Sequence, residues 1–202
     1  MPILSAEYYA RMILTARMQL RRFGLDDGHN LFALDDDPAV MRYLTGGPGT
    51  PRAVIDSEML PRFIDAGREE PPMGFWAAES RVTRAFLGWF SLRRADAKTQ
   101  AVLGYRLRRA VWGQGYATEG VEALIRRGFT QAGLERITAS AYEENLASRR
   151  VMEKAGLRFT RRFRLTSADL AAADTSFQEG DVWEGDDVEY AITRAEWERR
   201  AT

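Results

Sequence analysis

The sequence predicts a single α/β (α+β) domain spanning 1–202, built on a mixed, mostly antiparallel twisted sheet of about seven strands flanked by helices. Three observations carry this expectation. "MGFWAAES", "RAFLGWFSLRR" and "AVLGYRLR" are strand-like segments in a row, and consecutive strands joined by short polar turns pair antiparallel. Further on, helical and strand patterns alternate, so a parallel strand–helix–strand unit fits the second half. The 202 residues are 45% hydrophobic, enough for a core, and neither a repeat nor a linker divides them.

The elements follow in order. "RMQLRRF", from Arg17 to Phe23, alternates apolar and polar residues as a strand does. Asp26 or Asp27 caps a short helix carrying Leu31, Phe32 and Leu34. A second short helix starts near Pro38 and turns Val40, Met41 and Leu44 inward. "TGGPGTP" is a loop. "AVIDSEMLPRFIDAG" has helical spacing, with Pro61 kinking or dividing it. After "VWGQGYATEG", Val121, Leu124, Ile125 and Phe129 share one helical face, and Gly133 closes that helix. "RITASAY" is a strand, "NLASRRVMEKAG" a helix and "LRFTRRFRL" a strand. Thr166 to Asp187 is an acidic, weakly patterned loop. "VEYAITR" is the last strand and "AEWERR" the last helix.

Composition removes several function classes. Lys+Arg and Asp+Glu both total 29, so no bulk charge draws the chain to nucleic acid or to an anionic membrane. "TRRFRL", with Arg161, Arg162 and Arg164, is read as a solvated strand edge. The absence of cysteine excludes disulfides, thiolate metal sites and cysteine nucleophiles, and no metal is expected. No apolar run approaches the ~18 residues of a membrane span, and the N-terminus lacks a secretory core. A cytoplasmic location is the expectation.

The stretch "VWGQGYATEG" carries the chemistry. Gly113 and Gly115 flank Gln114 just past a strand, with a helix expected from near Thr118. Glycines permit a tight turn and close approach of a ligand. The first amides of a helix lack internal acceptors and sit at the positive end of its dipole, which suits a pyrophosphate. An ordinary turn capped by Thr118 is the alternative. The P-loop spacing is absent, and the dinucleotide fingerprint needs glycine where Thr118 stands.

At this point a resemblance enters. "LGYRLRRAVWGQGYATEGVEALIRRGF" followed by "ERITASAYEENLASRRVMEKAGLRF" resembles the GNAT acetyltransferase superfamily, and within it the RimJ/RimL-like group. The likeness extends from about Thr15 to Trp197. It implies a GNAT-like acyl-CoA transferase architecture and acetyl-CoA as cosubstrate. The family's [Q/R]xxGx[G/A] pattern falls on Trp112 to Ala117; Gly115 and Ala117 match, while Trp112 departs from it. The resemblance implies that backbone amides of Gly113, Gln114, Gly115, Tyr116, Ala117 and Thr118 surround the pyrophosphate. It also implies that Tyr105, Arg106 and Leu107 bond the pantetheine arm and acetyl carbonyl, as an added pseudo-strand would.

Acetyl transfer to an amine needs a proton acceptor, an oxyanion donor and something to receive the thiolate. The Leu107 N–H is the expected oxyanion donor. Asn145 caps the helix that follows it, and in the family the matching residue contacts CoA or an ordered water. Many family members place a tyrosine acid at the position of Met152; methionine cannot donate a proton, which leaves Ser148, one turn earlier on the same face. Glu143 or Glu144 is the expected proton acceptor, with His29, Glu79 and Asp96 as further candidates; position alone is another solution. Arg108, Arg109, Arg149 and Arg150 are candidates for the 3′-phosphate. Trp76, Trp89, Trp183, Asp181, Glu184, Asp186 and Asp187 are candidates to line the acceptor site. The expected partner is an amine-bearing small molecule or a protein N-terminus, with a homodimer as the compatible assembly. A non-catalytic acyl-CoA-binding sensor is the alternative function.

Overall fold

In the computed structural model, residues 12–67, 73–95, 97–164 and 185–201 are described. Eight strands lie among them: β1 (Ile13–Leu14), β2 (Met18–Arg21), β3 (Gly74–Ser80), β4 (Phe86–Arg94), β5 (Gln100–Leu107), β6 (Arg136–Tyr142), β7 (Arg158–Phe163) and β8 (Asp187–Thr193). They form one sheet in the order β1-β2-β3-β4-β5-β6-β8-β7. All neighbours are antiparallel except β5 and β6. The strand beyond the expected seven is β1, whose two residues are too short to show a period.

The helices are α1 (Gly28–Asp35), α2 (Pro38–Met41), α3, α4 (Tyr116–Gln131), α5 (Leu146–Ala155) and α6 (Arg194–Ala201). Helix α3 runs as Arg52–Val54, a π-helical turn over Ile55–Met59, and Leu60–Ala66. The wide turn lies just before Pro61, where the ring would clash with the carbonyl one turn back. At α2 the Asp37 carboxylate accepts the Ala39 N–H at 3.0 Å and Pro38 fills the first turn.

Two layers cover the sheet. Helices α1 to α3 bury Leu31, Leu34, Ile55 and Phe63 against Phe75 and Trp89 on one face. Helices α4 and α5 bury Leu124, Phe129 and Met152 against Phe90, Ile137 and Tyr190 on the other. Each large side chain removed from water contributes roughly 1.5–3 kcal/mol. Helix α4 crosses β4 at Gly120, where a Cβ would come within 2.2 Å of the Phe90 ring. No helix of the described residues is long and apolar enough to cross a membrane.

One irregularity positions the site. The β5–β6 ladder runs through Gln100↔Arg136, Ala101↔Ile137 and Val102↔Thr138. Beyond Val102, β5 continues to Leu107 and β6 to Tyr142. Beyond that point, among the described residues, no ladder joins the two strands, which leaves a gap in the hydrogen bonding of the sheet.

Candidate active site

The hydrogen-bond parity of β5 shows what faces the gap. The Arg108 N–H bonds the Leu87 carbonyl at 2.9 Å and the Ala95 N–H bonds Gln100 at 3.0 Å. In an antiparallel pair, hydrogen-bonded and open positions alternate. Arg106 opposite Trp89 is therefore a bonded position, whereas Leu107 opposite Gly88 and Tyr105 opposite Phe90 are open. The main chains of Tyr105 and Leu107 thus turn toward the gap. That of Arg106 turns to β4, so of the three expected contacts it is the one directed elsewhere. The Leu107 carbonyl accepts the Trp112 indole N–H at 2.8 Å, leaving its N–H aimed into the gap. Trp112 therefore folds the loop back onto the end of β5.

The glycine loop ends at the head of α4. Gly113 and Gly115 have φ of 71° and 82°, the left-handed region that glycine enters freely. Gly115 is the N-cap and the helix begins at Tyr116, so Thr118 lies inside the first turn and does not cap it. The left-handed glycine sets the helix start two residues earlier than the pattern predicts. The Glu119 N–H is the first to close onto the Gly115 carbonyl, at 3.0 Å; the N–H groups of Tyr116, Ala117 and Thr118 precede it. A Cβ on Gly113 would meet nothing within 4 Å, and one on Gly115 would meet Arg17 Nη2 at 3.4 Å. The loop is thus an open, amide-lined cradle that fits a pyrophosphate. Gln114 is structural: its Nε2–H donates to Ala110 at 2.8 Å.

Helix α5 brings Ser148 to the same gap. Its cap is Asn145, whose Oδ1 accepts the Ser148 N–H at 3.1 Å. The Tyr105 phenol lies 2.8 Å from the Ser148 hydroxyl and 3.2 Å from the Ser148 carbonyl, so its single proton can serve either oxygen. Burial pushes the Tyr105 phenol up to about 12, so it stays protonated. Met152, one turn on, is fully buried in the core.

At the open end of the gap, Tyr142 closes β6. Its ring stacks on Tyr43 with centroids 6.0 Å apart, and a Cβ on Gly185 would fall within 2.1 Å of it. Asp187 stands directly across the ladder from Tyr142, so their side chains share a face. Burial, then the neighbouring charge of Asp186, pushes the Asp187 carboxyl up to about 6. The Glu143 carboxylate is ion-paired with Arg162, and Asp186 is held by Arg162 and Arg164 at 3.6 and 3.3 Å.

Several expected site residues lie elsewhere. Trp76 and Trp89 are buried in the core beneath the helices, not lining an open acceptor site. Glu79 is buried in a network with Gln19 and Arg21. His29 is exposed and donates to the Asp26 carbonyl at 2.6 Å. Arg149 bonds the Tyr190 hydroxyl at 3.1 Å, and Arg109 faces Asp37 at 3.4 Å. Asp96, Asp181, Trp183 and Glu184 lie outside the described residues. Among the described residues, no group of three or more His, Asp or Glu is placed to hold a metal ion.

Two further features leave no local sign in the sequence. Asp35, fully buried on α1, pairs with Arg106 at 2.5 Å and accepts the Thr50 hydroxyl at 2.6 Å. This ties α1 and the loop before α3 to β5 between Tyr105 and Leu107. Arg17 reaches from the β1–β2 turn to the glycine loop. Tyr142 does have a local signal, since it stands next to Glu143 at the end of a legible strand.

Comparisons with known proteins bear on the fold and the family. The family model "Acetyltransferase (GNAT) domain" matches residues 17–158. An Aspergillus fumigatus FsC-acetyl coenzyme A-N(2)-transacetylase is 29% identical over 194 residues, covering 92% of this chain and 77% of the relative. A Bacillus anthracis GNAT acetyltransferase structure superposes with a TM-score of 0.72 at 22% identity, over 90% of this chain and 98% of that one. RimL, a ribosomal α-N-protein acetyltransferase solved with coenzyme A, gives a TM-score of 0.70 at 16% identity, over 90% and 97%. At these identities the two structures establish the fold, and the family match across most of the chain establishes the kinship. The chain belongs to the GNAT acetyltransferase family.

Proposed function

We propose that the chain transfers the acetyl group of acetyl-CoA directly to a primary amine in a ternary complex. The observation that carries this is the cradle: two left-handed glycines, open space at Gly113, only the Arg17 Nη2 near Gly115, and the head of α4, beside a β5 edge that lacks a strand partner beyond Val102 among the described residues. Amides of Gly113 to Thr118 receive the pyrophosphate, and the main chains of Tyr105 and Leu107 receive the pantetheine arm and acetyl carbonyl.

The amine nitrogen attacks the thioester carbonyl carbon, the C–N bond forms and the C–S bond breaks. The Leu107 N–H holds the charge that develops on the carbonyl oxygen. Ser148 donates a hydrogen bond to the departing sulfur. The proton that leaves the amine before attack goes to a carboxylate at the open end of the gap. Glu143 would have to leave Arg162 to take it; Asp187, raised to about 6, is the better matched acceptor near neutral pH. The Tyr43–Tyr142 stack and Asp187 suit an amine that arrives as a cation. Its first proton goes to the carboxylate before attack, freeing the lone pair. The proton lost from nitrogen after attack ends on the departing thiolate, giving CoA–SH. The relatives' names place acetyl transfer on an N(2) nitrogen and on a protein α-nitrogen, so a small-molecule amine and a protein N-terminus are both carried forward. Cytoplasmic action and a homodimer go with this reading.

The test is calorimetry with acetyl-CoA, then CoA release over a panel of amines and N-terminal peptides. Saturable binding with release on some amine is expected. No binding at sub-millimolar concentration contradicts the proposal, and binding without release on any amine favours a sensor.

A further inference from the structure

Arg17 sits in the turn between β1 and β2, far in sequence from the glycine loop, yet wraps it from outside. Its backbone N–H and its Nε donate to the two carboxylate oxygens of Glu119 at 2.8 and 2.7 Å. Its Nη1 donates to the Gln114 carbonyl at 2.8 Å. Its guanidinium lies 4.1 Å from the centroid of the Tyr116 ring. The remaining nitrogen, Nη2, is the atom nearest the open side of Gly115, 3.4 Å from where a Cβ would be. The Arg17 side chain is 43% exposed, so it meets solvent at the mouth of the cradle.

The local charges explain why an arginine is needed there. Glu119 is in the first turn of α4. Burial works against its charged form, but hydrogen bonds from Thr15 and Arg17 hold its carboxyl below the usual range. A carboxylate there cancels the roughly half positive charge of the helix head. With Arg17 in place the sum is again positive. The loop's own motif offers no side-chain cation, since Trp112 occupies its first position and bonds Leu107.

We propose that Arg17 is a cosubstrate-binding residue. Its Nη2 donates to the pyrophosphate of the acyl-CoA, while Nε and Nη1 hold Glu119 and the loop in place. The planar fork of arginine lets one side chain do both. This rests on the proposed use of the cradle for a pyrophosphate.

The test compares two thioesters. Acetyl-CoA is titrated by calorimetry and S-acetylpantetheine, which lacks the pyrophosphate, by NMR in the millimolar range. Arg17→Met is expected to weaken acetyl-CoA binding at least tenfold and to leave S-acetylpantetheine within twofold. It should also make acetyl-CoA binding less dependent on salt. The double variant Arg17→Met/Glu119→Gln separates contact from neutralisation. If Arg17 touches phosphate, the double variant stays weak. Recovery of wild-type affinity in the double variant, equal loss of both thioesters in Arg17→Met, or no loss of acetyl-CoA affinity would each overturn the assignment. Failure of the wild type to bind acetyl-CoA would instead overturn the cradle on which it rests.

Discussion

The Tyr105 phenol lies 2.8 Å from the Ser148 hydroxyl, joining the end of β5 to the first turn of α5 across the gap. A phenol pushed up to about 12 by burial is a donor throughout the neutral range. When Tyr105 donates to Ser148 Oγ, the Ser148 proton is free to point at the departing sulfur. A serine hydroxyl is a far weaker acid than a thiol, so its role is to donate a hydrogen bond. Ser148→Ala should lower turnover about 10- to 100-fold, the worth of one hydrogen bond to a charged group. Tyr105→Phe should lower it less, and the double variant should match Ser148→Ala alone. Acetyl-CoA affinity by calorimetry should stay within twofold throughout. Additive losses in the double variant would show that the two hydroxyls act separately.

Asp187 gives a pH dependence with a definite sign. Its folded-state value of about 6 is above the ordinary carboxylate value, so the fold favours the protonated form. Its contribution to stability is present below pH about 4 and is lost as the pH rises through the folded-state value. Asp187→Asn should therefore raise the unfolding midpoint at neutral pH, and the gain should vanish in acid. The same variant should lose activity and the acid limb of the pH–rate profile. If Glu143→Gln removes that limb and Asp187→Asn keeps it, Glu143 is the proton acceptor.

The Asp35–Arg106 pair predicts a stability effect. Both side chains are buried, at 0% and 6% exposure, and they meet at 2.5 Å. Asp35→Ala removes the buried carboxylate that Arg106 pairs with and should destabilise the protein by about 3–5 kcal/mol in urea titrations. Asp35→Leu with Arg106→Met should recover most of the loss, because a well-packed apolar pair can replace a buried ion pair. A loss below about 1 kcal/mol for Asp35→Ala would show that water reaches the site.

What the sequence made legible was local. The amphipathic face of α4, the α5 cap at Asn145, the strand at Arg136–Tyr142 and the glycine loop all depend on neighbouring residues. The start of α4, expected near Thr118, lies at Tyr116 because a left-handed Gly115 starts the helix without a side-chain cap. Trp76 and Trp89 have the chemistry of binding aromatics, and only the tertiary packing of helices on the sheet buries them. Arg17 with Glu119 and Asp35 with Arg106 are contacts across 102 and 71 residues. No periodicity encodes such pairings; the sheet order creates them. The divergence of β5 from β6 is likewise a tertiary event, visible only in where their ladder ends.

The central claim is that the Gly113–Thr118 loop holds the pyrophosphate of acetyl-CoA, and Gly115→Glu tests it most directly. Gly115 has φ of 82°, and its open side is the mouth of the cradle. A glutamate there adds strain, bulk and negative charge where the phosphates must lie. Calorimetry of the wild type and the variant with acetyl-CoA, with thermal unfolding as a check on folding, is the measurement. The account predicts saturable binding to the wild type and none to a folded Gly115→Glu; equal affinity in the two would contradict it.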